Sequence, residues 1–384
     1  MLAIINAELV MRDHLIPDAV LWIEDGVIAG FGEMRNTPIP EGCEIVDAKG
    51  LFVGPGFVDI HSHAGNAVRF EADPIEAAKG HLAQGTTSVL ATLGYRLKTP
   101  EYVACIRKVR EAMAKPEGAN IAGIYMEGPY INPGYGSASN QKGVDVPRVF
   151  DPVPEDYEPL LEAGADIIRV WGTAPEREGM VNFLIAAKKA NPEVRFAVTH
   201  SEATPQQIEA LMPYGLCIGT HHTNATGDLP KYPECRGVCV DETVNYNNAI
   251  YAEMICDSRG IHVDPYMLRL VRKIKGEDRF ILITDATYCD SPSPPGYEHI
   301  TDLYYDDAGE IAGTNMSLSV ACRNMMKHTG ASIVDVFRYG SYNPCRAVNF
   351  FDRGEIRKGL RADLVICDHN VDVKAVIREG EIVQ

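Results

Sequence analysis

The chain has 384 residues, 46% hydrophobic and 23% charged, with a formal net charge of -17. That length accommodates one large domain plus a smaller one. The acidity argues against a nucleic-acid surface while leaving room for a local pocket for one phosphate, and no run approaches the ~20 apolar residues that span a bilayer. Ten cysteines lie scattered without a disulfide framework, and Asn6, Glu8, Arg12 and Asp13 interrupt any apolar leader. Both features lead to the expectation of a cytoplasmic protein with free thiols.

Residues 1–52 alternate apolar runs with turns, predicting strands over 2–5, 19–23 and 27–32, with Asp25-Gly26 as a tight hairpin between the last two. Gly54-Pro55-Gly56 is expected to break the chain before Phe57-Val58-Asp59-Ile60-His61-Ser62-His63. Phe57, Val58 and Ile60 read as a buried strand. Strand side chains repeat with period two, so His61 and His63 point the same way and suit one metal together.

Strand and helix then alternate as far as residue 345. Strands are predicted over 57–62, 86–92, 121–127, 167–173, 195–200, 215–220, 251–257 and 280–285, with helices such as 101–114, 179–190 and 205–212 between them. Eight such strands fit an α/β fold of the (β/α)8 barrel type. A doubly wound sheet would place a glycine-rich phosphate loop where His-Ser-His stands. The Pro/Gly/Ser cluster at 291–296 reads as a long loop and a candidate lid. A strand over 362–367 and two more within 373–383, joined at Glu379-Gly380, close the chain. The expected division is a small β-sandwich from 1–52 and 346–384 around a catalytic barrel over 53–345.

In such a barrel the reacting groups sit at strand C-termini. Six of the eleven histidines fall there: His61, His63, His200, His221, His222 and His262. Glu127 follows the third strand and Asp285 ends the eighth. Imidazole and carboxylate suit Zn2+ or Fe2+ at a hydrolytic centre, where a metal acidifies its bound water and polarises a carbonyl. A carboxylate must then move the proton, and Asp285 is placed for that work. Adjacent residues cannot both face inward from a strand. His221 shares a Thr-His opening with His200 and is preferred as ligand, leaving His222 beside the site or in solvent.

Taken together, these stretches resemble the amidohydrolase superfamily, and within it the N-acetylglucosamine-6-phosphate deacetylases. The carriers are Pro55 to His63, Glu127-Gly128-Pro129-Tyr130, Ala174-Pro175-Glu176, Thr199-His200-Ser201, Thr220-His221-His222-Thr223-Asn224-Ala225, Gly260-Ile261-His262-Val263 and Thr284-Asp285-Ala286, with Gly354 to Gly359 near the end. Glu-Gly-Pro in place of the superfamily's usual lysine is the most specific of them. The resemblance implies that Glu127, His200 and His221 bind the main metal, that His61 and His63 bind a second, and that Asp285 is general base and then acid. It implies that His262 orients the substrate and that the backbone at Asn224 and Ala225 holds the sugar phosphate. It also implies one or two divalent ions per subunit and a homodimer.

Departures concern substrate reading. The family's Lys-Gly-Ala-His becomes Lys142-Gly143-Val144-Asp145, and its Asn-Ala-Met becomes Asn224-Ala225-Thr226. Arg236 stands as counterpart of the phosphate-binding arginine, and the loop after Asp285 lacks the usual Gly-Leu pattern. Asp145 is poorly suited to an anionic group. The expected reaction is hydrolysis of the N-acetyl amide of an amino sugar, N-acetylglucosamine-6-phosphate or a close relative. The alternatives are hydrolysis of another N-acylated amine or a cyclic amide, and an inactive relative kept for assembly or binding.

Overall fold

The computed structural model describes residues 1–95, 97–136, 151–227, 234–235 and 237–384. Five strands open the chain: β1 (Leu2–Val10), β2 (Leu15–Glu24), β3 (Val27–Glu33), β4 (Glu44–Asp47) and β5 (Phe52–Pro55). Then come β6 (Phe57–Ser62), the short hairpin β7 (Ala64–Gly65) and β8 (Val68–Arg69), α1 (Pro74–Leu82), β9 (Thr86–Leu93), α2 (Thr99–Met113) and β10 (Ile121–Met126). Alternation continues through α3 (Pro154–Gly164), β11 (Ile168–Thr173), α4 (Met180–Ala190), β12 (Arg195–Val198), α5 (Pro205–Leu211) and β13 (Leu216–Gly219). It ends with α6 (Val240–Tyr246), β14 (Tyr251–Ile255), α7 (Pro265–Lys275) and β15 (Phe280–Ile283). The hairpin β16 (Leu303–Tyr305) and β17 (Ile311–Thr314), helices α8 (Leu318–Thr329), α9 (Ile333–Phe337) and α10 (Asn343–Ala347), and strands β18 (Leu364–Cys367), β19 (Val373–Arg378) and β20 (Glu381–Ile382) complete it.

The eight predicted barrel strands form one sheet in the order β15-β14-β13-β12-β11-β10-β9-β6, all neighbours parallel. Its two edges meet: the Asp285 amide donates to the His61 carbonyl at 3.0 Å, and the Thr284 hydroxyl donates to Asp59 Oδ2 at 2.6 Å. Ladder plus bridge bring the barrel almost to closure. Alternate side chains of these strands fill its interior, among them Val58, Ile60, Leu90, Val170, Ile218 and Ile283, and Phe350 packs with them. The opposite faces pack on the helices through residues such as Trp171, Phe183 and Phe196.

Strands from both chain ends form a second, mixed sheet in the order β20-β19-β18-β5-β1-β2-β3, with β4 beside β1. Its core holds Ile4, Leu21, Val53, Leu364 and Ile377. Asp25 and Gly26 sit at φ 49° and 77°, and Glu379 and Gly380 at 50° and 82°. Two successive positive-φ residues make the tight turn that matches strand twist. The expected break at Gly54-Pro55-Gly56 is shorter than the sequence implies, because β5 runs through Pro55 and pairs with β18. Pro55 is its last residue. Gly54 is required by packing: a Cβ there would lie 2.3 Å from the Phe337 ring.

Candidate active site

The apolar strands bring their polar end residues to one mouth. Ile121–Met126 forms β10, and Glu127 is the first residue beyond it, 4% exposed. His200, His221 and Asp285 follow β12, β13 and β15 with φ of 42°, 28° and 45°. Non-glycine residues rarely adopt this left-handed backbone, and such residues cluster at functional sites. The two Thr-His pairs are linked below the rings, where the hydroxyls of Thr199 and Thr220 bond each other and Tyr125 Oη lies 2.6 Å from Thr220 Oγ1.

Glu127 is the hub. Its Oε1 lies 3.1 Å from His200 Nε2 and 3.3 Å from His221 Nε2, and those two nitrogens are 3.3 Å apart. Donors bound at 2.0–2.1 Å on a tetrahedral ion are about 3.3–3.4 Å from each other, so this triangle fits one divalent ion. Glu127 Oε2 turns the other way, 3.0 Å from His63 Nε2. There His61 Nε2 and His63 Nε2 lie 3.6 and 3.5 Å from Asp285 Oδ1, forming a second, looser set of donors. His61 Nε2 and His63 Nδ1 are buried without a hydrogen-bond partner among the described residues, and an orphaned donor atom such as His61 Nε2 is what a metal ligand looks like without its ion.

The charges support each other. Burial alone would raise the Glu127 carboxyl, but the His63 charge and hydrogen bonds from His200, His221 and His63 outweigh it and hold the group well below the usual range. Burial opposes a charged His61, yet its bond to Glu253 and the charges of Asp285, Glu253 and Glu127 push it up to about 10. His221 rises for the same kind of reason, its bond to Glu127 overcoming burial. His262 goes the other way, with burial dominating the pull of Asp285 and Asp257. Its backbone N–H is held by Asp257 Oδ2 at 2.9 Å.

His63, Glu127, His200, His221, His262 and Asp285 border a cavity of about 950 Å3, which Asn224 and Ala225 also line. His61 lies beneath it, with no exposure. Ser291, Pro294 and Tyr297 of the long loop and part of the β16–β17 hairpin form its wall. His222 is turned away, buried, with Nε2 3.1 Å from Asn245 Oδ1. Asp145 and Arg236 fall outside the described residues. Arg69 is the one lysine or arginine among the described lining residues, which also include Glu71, Asp290, Asp306, Asp307 and Glu310. Sequence reasoning missed it, along with two buried carboxylates. Glu253 meets His61 Nδ1 at 3.1 Å. Asp59, which burial pushes up to about 7 against bonds from Thr284 and the His61 amide, ties β6 to β15. An acid flanked by apolar residues on both sides marked each position but not its partner.

The amidohydrolase family model matches residues 52–383. An N-acetylglucosamine-6-phosphate deacetylase from Lysinibacillus sphaericus is 26% identical over 393 residues, covering 94% of this chain and 92% of the relative. An N-acetylgalactosamine-6-phosphate deacetylase from Escherichia coli O157:H7 is 27% identical, with 97% of each covered. The structure of a mutant N-acetyl-D-glucosamine-6-phosphate deacetylase from Mycobacterium smegmatis, in complex with N-acetyl-D-glucosamine-6-phosphate, superposes with a TM-score of 0.81 at 26% identity, covering 100% of this chain and 99% of that one.

Proposed function

This chain belongs to the amidohydrolase family, and from that premise we propose that it is a metal-dependent deacetylase. Its substrate is N-acetylglucosamine-6-phosphate or a close relative, and its products are the free amine and acetate. The observation that carries the reading is Glu127, whose two oxygens face two sets of metal donors with Asp285 beside the second. Near full-length likeness to deacetylases of phosphorylated N-acetyl amino sugars supports the substrate class.

Glu127, His200 and His221 would hold the main divalent ion, Zn2+ or Fe2+, and His61 and His63, with Asp285, a second. A divalent ion there polarises the amide carbonyl and acidifies water. Asp285 takes the proton from water and delivers it to the departing nitrogen. His262, kept neutral by burial, has a ring N–H to direct at the amide carbonyl. Asn224 and Ala225 border the cavity and serve the sugar and its phosphate, with Arg236 as the partner for that charge. The ten free cysteines favour a cytoplasmic enzyme. We further assign 53–345 as the catalytic domain and 1–52 with 346–384 as the small domain of a homodimeric subunit, except that β5 (Phe52–Pro55) pairs into the chain-end sheet and Ala347, Val348 and Phe350 pack with the barrel interior.

The test is amine release from N-acetylglucosamine-6-phosphate, its galactose epimer, both unphosphorylated sugars and a set of N-acetyl amino acids. A kcat/KM for a phosphorylated sugar at least a hundredfold above the others is expected. The acidic residues that line the cavity together with a single described arginine favour a second reading, hydrolysis of an N-acylated amine without a phosphate. Preference for an unphosphorylated substrate would establish that reading instead.

A further inference from the structure

Glu253 stands in β14 and is fully buried. Among the described residues, its one ion-pair partner is His61, whose Nδ1 lies 3.1 Å from Oε2. The same oxygen is 3.4 Å from the His221 amide nitrogen, and the Glu253 carbonyl accepts from the His222 N–H at 2.7 Å. A buried carboxylate with no lysine or arginine beside it is unfavourable unless another positive charge offsets it.

The four site histidines differ in how the nitrogen away from Glu127 is held. His200 Nδ1 meets the Tyr135 carbonyl at 3.1 Å, and His221 Nδ1 meets the Asn224 carbonyl at 3.2 Å. His63 Nδ1 has no hydrogen-bond partner among the described residues. His61 alone is backed by a carboxylate, and Tyr125 stacks on its ring at 4.6 Å. An imidazole whose Nδ1–H is spent on a carboxylate presents the Nε2 lone pair, in a fixed orientation and with greater basicity. In His61 that Nε2 points toward Glu127 Oε1 and Asp285 Oδ1, 3.6 Å from each.

We propose that Glu253 is a positioning residue that sets the affinity of the second divalent ion, by fixing the His61 tautomer and by supplying negative charge behind it. This rests on reading His61, His63 and Asp285 as a metal set. Site occupancy would therefore be decided by the barrel interior as well as by the His-x-His pair at its mouth.

The experiment titrates chelator-stripped protein with Zn2+ at buffered free concentrations and reads zinc per chain. Co2+ spectra serve as a second readout. Wild type is expected to bind two equivalents. Glu253→Gln, which keeps an acceptor but not the charge, should leave the first equivalent unchanged and weaken the second roughly ten- to a hundredfold. Glu253→Met, which keeps neither, should weaken it further. A wild type that binds one ion overturns both the metal-set reading and the inference. Two unchanged equivalents in both variants overturn the inference alone. Loss of both equivalents together also overturns it, because that outcome marks Glu253 as a general structural support.

Discussion

Asp285 combines two demands in one side chain. It faces His61 and His63 at 3.6 and 3.5 Å, and its backbone is bent into the left-handed region at the strand end. Asparagine keeps the shape but cannot carry a proton. Asp285→Asn should lower kcat by about 10^2–10^4 while the folded protein still takes up the ion proposed for Glu127, His200 and His221. Near-normal turnover, measured as amine release, would remove Asp285 from the chemistry. Much of this site was legible because its histidines and carboxylates stand at or just past the C-terminal ends of apolar strands, where barrel architecture gathers them at one mouth. Glu253 was not legible, since its partner His61 is 192 positions away in sequence and only barrel closure brings them together. Asp59 was hidden for the same reason.

At the scale of elements, the end of β6 and the residue after it, His61-Ser62-His63, depend on α1. His81 of α1 is buried, with Nε2 3.0 Å from Ser62 Oγ and 3.1 Å from the Ala64 carbonyl, and its ring stacks on Phe70. Burial pulls its pKa down to about 4, against ~6.5 in an unfolded chain. Between those values the unfolded chain binds more protons, so stability falls as pH drops from about 6.5 to about 4. The loss amounts to a few kcal/mol at most. Urea denaturation across that range should show the decline in wild type and a flatter profile in His81→Gln; parallel profiles would contradict it. The barrel strands and both Gly-containing hairpins were readable from apolar runs and turn residues. β4 was not, because Glu44–Asp47 has two acids in four residues and lies on an exposed sheet margin. β5 was obscured by Gly54 and Pro55, which usually end strands.

Across the whole molecule, the chain-end sheet is joined to the barrel through aromatic packing. Phe337 stacks on Phe57 at 5.1 Å and covers Gly54. Phe57 opens β6, so this contact links the sheet to the strand that carries His61. Truncating Phe337 to alanine should cost about 3–5 kcal/mol, read as a lowered urea midpoint, whereas a loss under about 1 kcal/mol would show the two parts to be independently braced. The whole assembly serves one reaction, and metal-dependent amine release from N-acetylglucosamine-6-phosphate tests that most directly. The account predicts turnover by the purified chain, its abolition by a chelator and its recovery on adding Zn2+ or Fe2+. Full turnover by metal-stripped protein, or no amine from any phosphorylated N-acetyl amino sugar by the metal-loaded chain, would contradict it.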